Sequence, residues 1–85
     1  MSVYLLTFES PTRDYQRYHT FVDRFDAMRL SDTAWALQTD LGADTLYQQL
    51  EPIVGKDDHA YLIALGKPWI GYGYEAMNDW LNRHL

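Results

Sequence analysis

The 85-residue chain contains no cysteine, which excludes disulfides, thiolate metal sites and a thiol nucleophile. Lysine is almost absent. Lys56 and Lys67 are the only two, within a total of seven basic against twelve acidic side chains, and the formal charge is −5. General nucleic-acid binding draws on counterion release by Lys and Arg, so any such role has to rest on a local arginine cluster. No apolar run approaches the roughly 20 residues that span a bilayer. The N-terminus lacks the basic start and continuous apolar stretch of a secretion signal. These absences predict a soluble, cytoplasmic protein with no membrane partner. Also missing are a nucleophile elbow and a phosphate-binding glycine loop. Gly71-Tyr72-Gly73 is too short for one and enters no βαβ unit.

A chain of this length forms one domain, spanning residues 1–85, near the lower limit for folding without staples. Its stability has to come from packing, and thirteen aromatic residues supply large buried area per side chain. Residues 2–8 are apolar in both parities: Tyr4, Leu6 and Phe8 point one way, Val3, Leu5 and Thr7 the other. Such a segment reads as a strand covered on both sides. It runs into Glu9, so a rigid strand delivers a carboxylate to its C-terminal tip.

Ser10-Pro11-Thr12 ends the strand, and Ser10 or Thr12 is expected to cap a helix from about Arg13 to Ala27. On that helix Tyr15, Tyr18, Phe21, Val22 and Phe25 share one face. Met28–Leu30 and Thr33–Thr39 read as two strands around Ser31-Asp32. A second helix starts near Gly42, buries Leu46, Tyr47, Leu50 and Ile53, and has Pro52 in its last turn. A turn at 55–58 leads to a strand over His59–Leu65, again apolar on both faces. A glycine- and aromatic-rich segment follows, then a terminal helix from about Tyr74 to His84 with Met77, Trp80 and Leu81 inward.

The order is that of an α+β, ferredoxin-like βαββαβ sandwich with an extra C-terminal helix. Both helices of that arrangement cover one sheet face, yet the other face is apolar here as well. Leaving such side chains wet forgoes roughly 1.5–3 kcal/mol each. The terminal helix accounts for part of the cover, and a second copy of the chain is the natural candidate for the rest. A homodimer is therefore expected.

The strings Tyr4-Leu5-Leu6-Thr7-Phe8-Glu9-Ser10, Asp14-Tyr15, Thr33-Ala34-Trp35-Ala36-Leu37-Gln38-Thr39-Asp40 and His59-Ala60-Tyr61-Leu62-Ile63-Ala64-Leu65 together resemble the CRISPR-associated Cas-two-like proteins. They are similar in particular to the short stand-alone relatives labelled SinR family. The resemblance implies a ferredoxin-like dimer with a nucleic-acid-linked role in defence or mobile-element biology. Some members are metal-dependent nucleases and others non-catalytic scaffolds for DNA. It places Glu9, where the family normally has aspartate, as the catalytic residue and metal ligand for Mg²⁺ or Mn²⁺. Glutamate is one methylene longer, so its oxygens reach differently toward a Mg²⁺ held at about 2.0–2.1 Å. Arg13 is the best match to the family's basic residues.

Two readings of function stay open. One is a metal-dependent endonuclease acting on RNA or DNA. The other is a non-enzymatic adaptor whose aromatic face binds itself or a protein partner. Arg13, Arg17 and Arg24 fall within about 40° on an ideal first helix. With Ser10 or Thr12 they could bind phosphate, although Asp14, Asp23 and Asp26 offset that charge. His19, His59 and His84 sit on separate elements without metal-site spacing, and no metal is assigned to them. Asp57-Asp58 reads as solvated turn chemistry.

Overall fold

A computed structural model describes residues 1–85. The chain forms β1 (Ser2–Glu9), α1 (Gln16–Val22), β2 (Asp26–Ser31), β3 (Ala34–Thr39), α2 (Ala43–Leu50), β4 (His59–Ala64) and α3 (Glu75–His84). A single 3-10 turn at Glu51–Ile53 follows α2 and contains Pro52, which closes the helix as expected. The fold is α+β: one four-stranded antiparallel sheet in the order β2-β3-β1-β4, with three helices. No helix is long and apolar enough to cross a membrane.

The two parities of β1 seed two cores. Tyr4, Leu6 and Phe8 pack with Leu37 of β3, with Tyr18, Phe21 and Val22 of α1, and with Leu46 and Leu50 of α2. Phe8 stacks on Tyr18 at 4.3 Å between ring centroids. On the opposite face Val3 and Ala36 pack under Met77 and Trp80 of α3, with Met28, Leu65, Leu81 and Leu85 around them. The structure therefore has three layers, with α1 and α2 on one side of the sheet and α3 on the other.

The first helix is much shorter than the Arg13–Ala27 span expected from the sequence. Arg13 adopts φ 56°, a left-handed conformation through which a right-handed helix cannot run. Its N–H instead donates to the Ser10 carbonyl at 3.0 Å, closing a turn over Ser10–Arg13. Tyr15 is the N-cap residue, so neither Ser10 nor Thr12 caps the helix. At the other end Arg24 and Phe25 donate to carbonyls three residues back, and Asp26 enters β2 at once. The apolar spacing of the segment persists in the buried residues, but the regular helix covers only its middle.

Polar pins hold α3 down. Trp80 Nε1 donates to Asp26 Oδ1 at 3.0 Å, and His84 Nε2 lies 2.8 Å from Asp26 Oδ2. The His84 ring stacks on Trp80 at 4.0 Å. Tyr74 O–H donates to the Arg29 carbonyl, fixing the start of the helix to β2.

Truncating a fully buried residue of α2 should be far costlier than truncating an exposed neighbour. Leu46→Ala is expected to lower unfolding free energy by about 2–5 kcal/mol. Gln48→Ala, on the wet side of the same turn, should stay within about 0.5 kcal/mol. Urea unfolding with an unchanged m-value in both variants is the check.

Candidate functional site

β1 carries Glu9 to the rim of the sheet, where its side chain is exposed. Glu9 shares parity with Val3, Leu5 and Thr7, which puts it on the α3 side of the sheet. Tyr15 O–H donates to Glu9 Oε2 at 3.2 Å. Desolvation pushes the Tyr15 phenol upward first, and the neighbouring Glu9 charge and hydrogen bond add to the shift. The phenol therefore stays a donor to the carboxylate at neutral pH.

Register supplies the neighbour that sequence spacing could not reveal. Glu9 pairs directly with His59, the first residue of β4. Both side chains line two shallow clefts at this corner. One is shared with Thr7, Thr33 and Tyr61, the other with Ser10, Pro11 and Asp57. His19 and His84 have their rings against protein oxygens, Asp32 O for the first, Trp80 O and Asp26 for the second. His59 is exposed, and its ring has no such partner. No three His, Asp or Glu side chains stand close enough together to hold a metal ion preassembled.

The arginines separate. Arg13 is exposed in the turn before α1. Arg17 is ion-paired with Asp58. Arg24, beyond the helix, bonds Gln49 and lies over the Phe21 and Phe25 rings at 5.0 and 5.4 Å. Because Arg13 lies outside the helix, the three share no helical face. Ser10 is buried, with its hydroxyl 3.1 Å from that of Thr12.

Asp58 is not the solvated turn residue expected. Its side chain is only 5% exposed and accepts from Arg17, from Tyr18 O–H at 2.6 Å and from Gly55 N–H at 2.9 Å. The Tyr18 hydrogen bond is the main cause that holds the Asp58 carboxyl below its ordinary range. Desolvation, reinforced by the Asp58 bond, pushes Tyr18 up to about 12. Asp26 is also held low, first by Trp80 and then by His84.

The largest concavity lies elsewhere. A groove of about 410 Å³ runs between α3 and the segment after β4, lined by Leu5, Leu30, Leu65, Trp69, Ile70 and Met77 among others, and by no charged side chain. Ile70 and Tyr72 on its rim are fully exposed. Its lining is mostly apolar, with Asn78 and the Tyr72 and Tyr74 hydroxyls among its polar groups.

These pairings set the pH limits of stability. Carboxyls whose native pKa is depressed contribute stability that is present above the unfolded value of about 3.9 and lost as pH falls through the native one. Tyr18, raised when folded, contributes stability that is lost as pH rises from about 10 toward about 12. Chemical denaturation across pH should show a plateau with an acid limb below about pH 4, shallower in Asp58→Asn. Its alkaline limb should be shallower in Tyr18→Phe. At pH 7, Asp58→Asn should cost about 1–3 kcal/mol, because Arg17 is left without its carboxylate. Comparison of the sequence with known protein families and with curated proteins finds no match.

Proposed function

We propose that this chain is a ferredoxin-like homodimer of the Cas-two-like, SinR-family kind. Its role in this reading is nucleic-acid-linked, and Glu9 is the catalytic residue of a metal-dependent phosphodiester cleavage. The strand order supports the fold reading: traversed from the other edge it is β4-β1-β3-β2, with β1 and β3 central and α1 and α2 on one face. A split βαβ repeat has this layout.

The observation that carries the functional reading is an uncovered apolar sheet face with Glu9 at its rim. α3 packs over Val3, Ala36 and Met28, near the start of β1. Past it, Tyr61 and Ile63 of β4 remain 61% and 51% exposed, and Leu30, Ile70, Tyr72 and Tyr74 are exposed as well. At roughly 200 Å² for a fully exposed large side chain, Leu30, Tyr61 and Ile63 on the strands together with Ile70, Tyr72 and Tyr74 of the segment before α3 offer on the order of 800 Å². One partner brings about that share to a standard interface. A second copy would cover the face and bring two Glu9 carboxylates to one interface.

In this reading Tyr15 positions the Glu9 carboxylate, which holds a cation or takes a proton at its free oxygen. A bound Mg²⁺ or Mn²⁺ would neutralise the charge that builds on the phosphodiester. Arg13, exposed in the turn that follows Glu9, is the group available to a phosphate, whereas Arg17 is paired with Asp58 and Ser10 is buried.

A specific observation favours the non-enzymatic adaptor as the second reading. Arg17, Arg24 and Arg29 are committed to Asp58, Gln49 and Asp32. Few cations are left for nucleic acid on a chain of charge −5.

Incubation with single- and double-stranded RNA and DNA, with Mg²⁺, Mn²⁺ or EDTA, separates the two. Metal-dependent cleavage lost in Glu9→Gln, by at least a hundredfold, is expected of the enzyme. Equal residual cleavage in both proteins would leave the adaptor. Sedimentation at micromolar protein should give twice the 10.0 kDa chain mass; a single-chain mass would remove the dimer from either reading.

A further inference from the structure

We infer that β4 is a docking edge for an extended segment of a partner protein, which adds to the sheet as an antiparallel strand. The segment has apolar side chains at alternate positions and a net positive charge. This surface is made of backbone groups in the plane of the sheet, and it does not depend on any role of Glu9.

The sheet has two edges, β2 and β4, and they differ. β2 is blunted: its register slips between Arg29 and Ser31, Arg29 pairs with Asp32, and the Tyr74 hydroxyl takes the Arg29 carbonyl. Bulges, charges and covering groups are the devices that keep an edge from pairing with another chain. β4 has none of them. His59–Ala64 holds no Lys, Arg, Asp, Glu or Pro, and its register with β1 runs without a shift.

The hydrogen-bond ladder identifies the free groups. Leu65 N–H donates to the Val3 carbonyl at 2.9 Å. Hydrogen-bonded pairs alternate along an antiparallel ladder, so Ile63, Tyr61 and His59 also turn their N–H and C=O toward β1. Phe8 N–H donates to the Thr33 carbonyl, so even-numbered residues of β1 bond on the β3 side, as the same alternation requires. Ala60, Leu62 and Ala64 therefore direct their N–H and C=O away from the sheet. No turn or loop backbone group bonds them. The side-chain bonds to backbone all fall elsewhere. An unpaired row of this kind is what strand addition uses.

Side chains and charge define the occupant. Tyr61 and Ile63 are more than half exposed on the open face. A strand laid along β4 sets alternate side chains beside them, and apolar ones remove that surface from water. The chain carries a formal charge of −5, and Arg17 and Arg29 are already ion-paired. Complementary potential thus favours a cationic segment over an acidic one. Lys or Arg at the intervening positions supplies that charge. The orientation follows the rest of the sheet, which is antiparallel throughout.

The test uses the full chain and capped eight-residue synthetic peptides, followed by fluorescence anisotropy and by amide hydrogen exchange in the absence of metal. One peptide alternates Val and Lys, and one alternates Val and Glu. Two further Val-Lys peptides are N-methylated, either on Lys, whose N–H groups face β4 in this pairing, or on Val, whose N–H groups face away. The Val-Lys peptide is expected to slow exchange at Ala60, Leu62 and Ala64 by about tenfold or more, with the β2 amides unchanged as the internal control. Methylation on Lys, replacement of Lys by Glu, or a charge placed on the edge by Ile63→Lys should each weaken binding by about tenfold or more. Methylation on Val should leave it nearly intact. Unchanged exchange at the three β4 amides, equal affinity of the two methylated peptides, or equal affinity of the Val-Glu peptide would overturn the inference. So would protection of those amides that rises with protein concentration in the absence of peptide, which would assign the edge to a second copy.

Discussion

β1 is buried from both sides, and the rest of the molecule is arranged to satisfy that demand. Tyr4, Leu6 and Phe8 require one apolar layer, and Val3 with its neighbours requires another. A two-layer sandwich of this size would leave the second set in water. The chain answers with α3, whose Met77 and Trp80 close over the start of the strand. A ten-residue segment between β4 and α3 is spent on reaching that position. Its apolar side chains line the groove and stand exposed on its rim.

Packing alone does not orient α3, since an apolar stripe can slide on an apolar sheet. Asp26 removes that freedom by engaging Trp80 and His84 with its two oxygens, a pairing that sets both the height and the rotation of the helix. Asp58 performs the same service on the other face. It accepts from Arg17 and Tyr18 on α1 and from the backbone of its own turn. Each carboxylate sits in a well-matched set of donors, which makes the ionised form part of the native structure. The two pins lie at opposite faces and together hold helices α1 and α3 in register with the sheet.

The same arrangement leaves one corner without a structural task. At the tip of β1, Glu9 and His59 face open clefts and are not consumed by an ion pair. Reactive side chains in such positions are free for ligands, whereas Arg17, Arg24, His19 and His84 are already occupied. Glu9 and Asp57 bring two carboxylates to that corner, with Arg13 in the adjoining turn, and the apolar groove lies farther along the same face.

The sequence alone determined the strand and helix order, the two-sided burial of β1, and Leu46, Leu50, Met77 and Trp80 as inward residues. Each of these is written in local periodicity, which the backbone geometry of a strand or helix converts directly into faces. It also marked Glu9 as the carboxylate at a strand tip. The extent of α1 was visible only in the structure, because the left-handed turn at Arg13, closed on the Ser10 carbonyl, is a backbone geometry that helical spacing does not encode. Only it revealed Asp58 as a buried anchor and His59 as the neighbour of Glu9. Those partners lie about forty to fifty residues away along the chain. Contacts at that separation are set by how strands pair, and pairing leaves no periodic trace in the residues that meet.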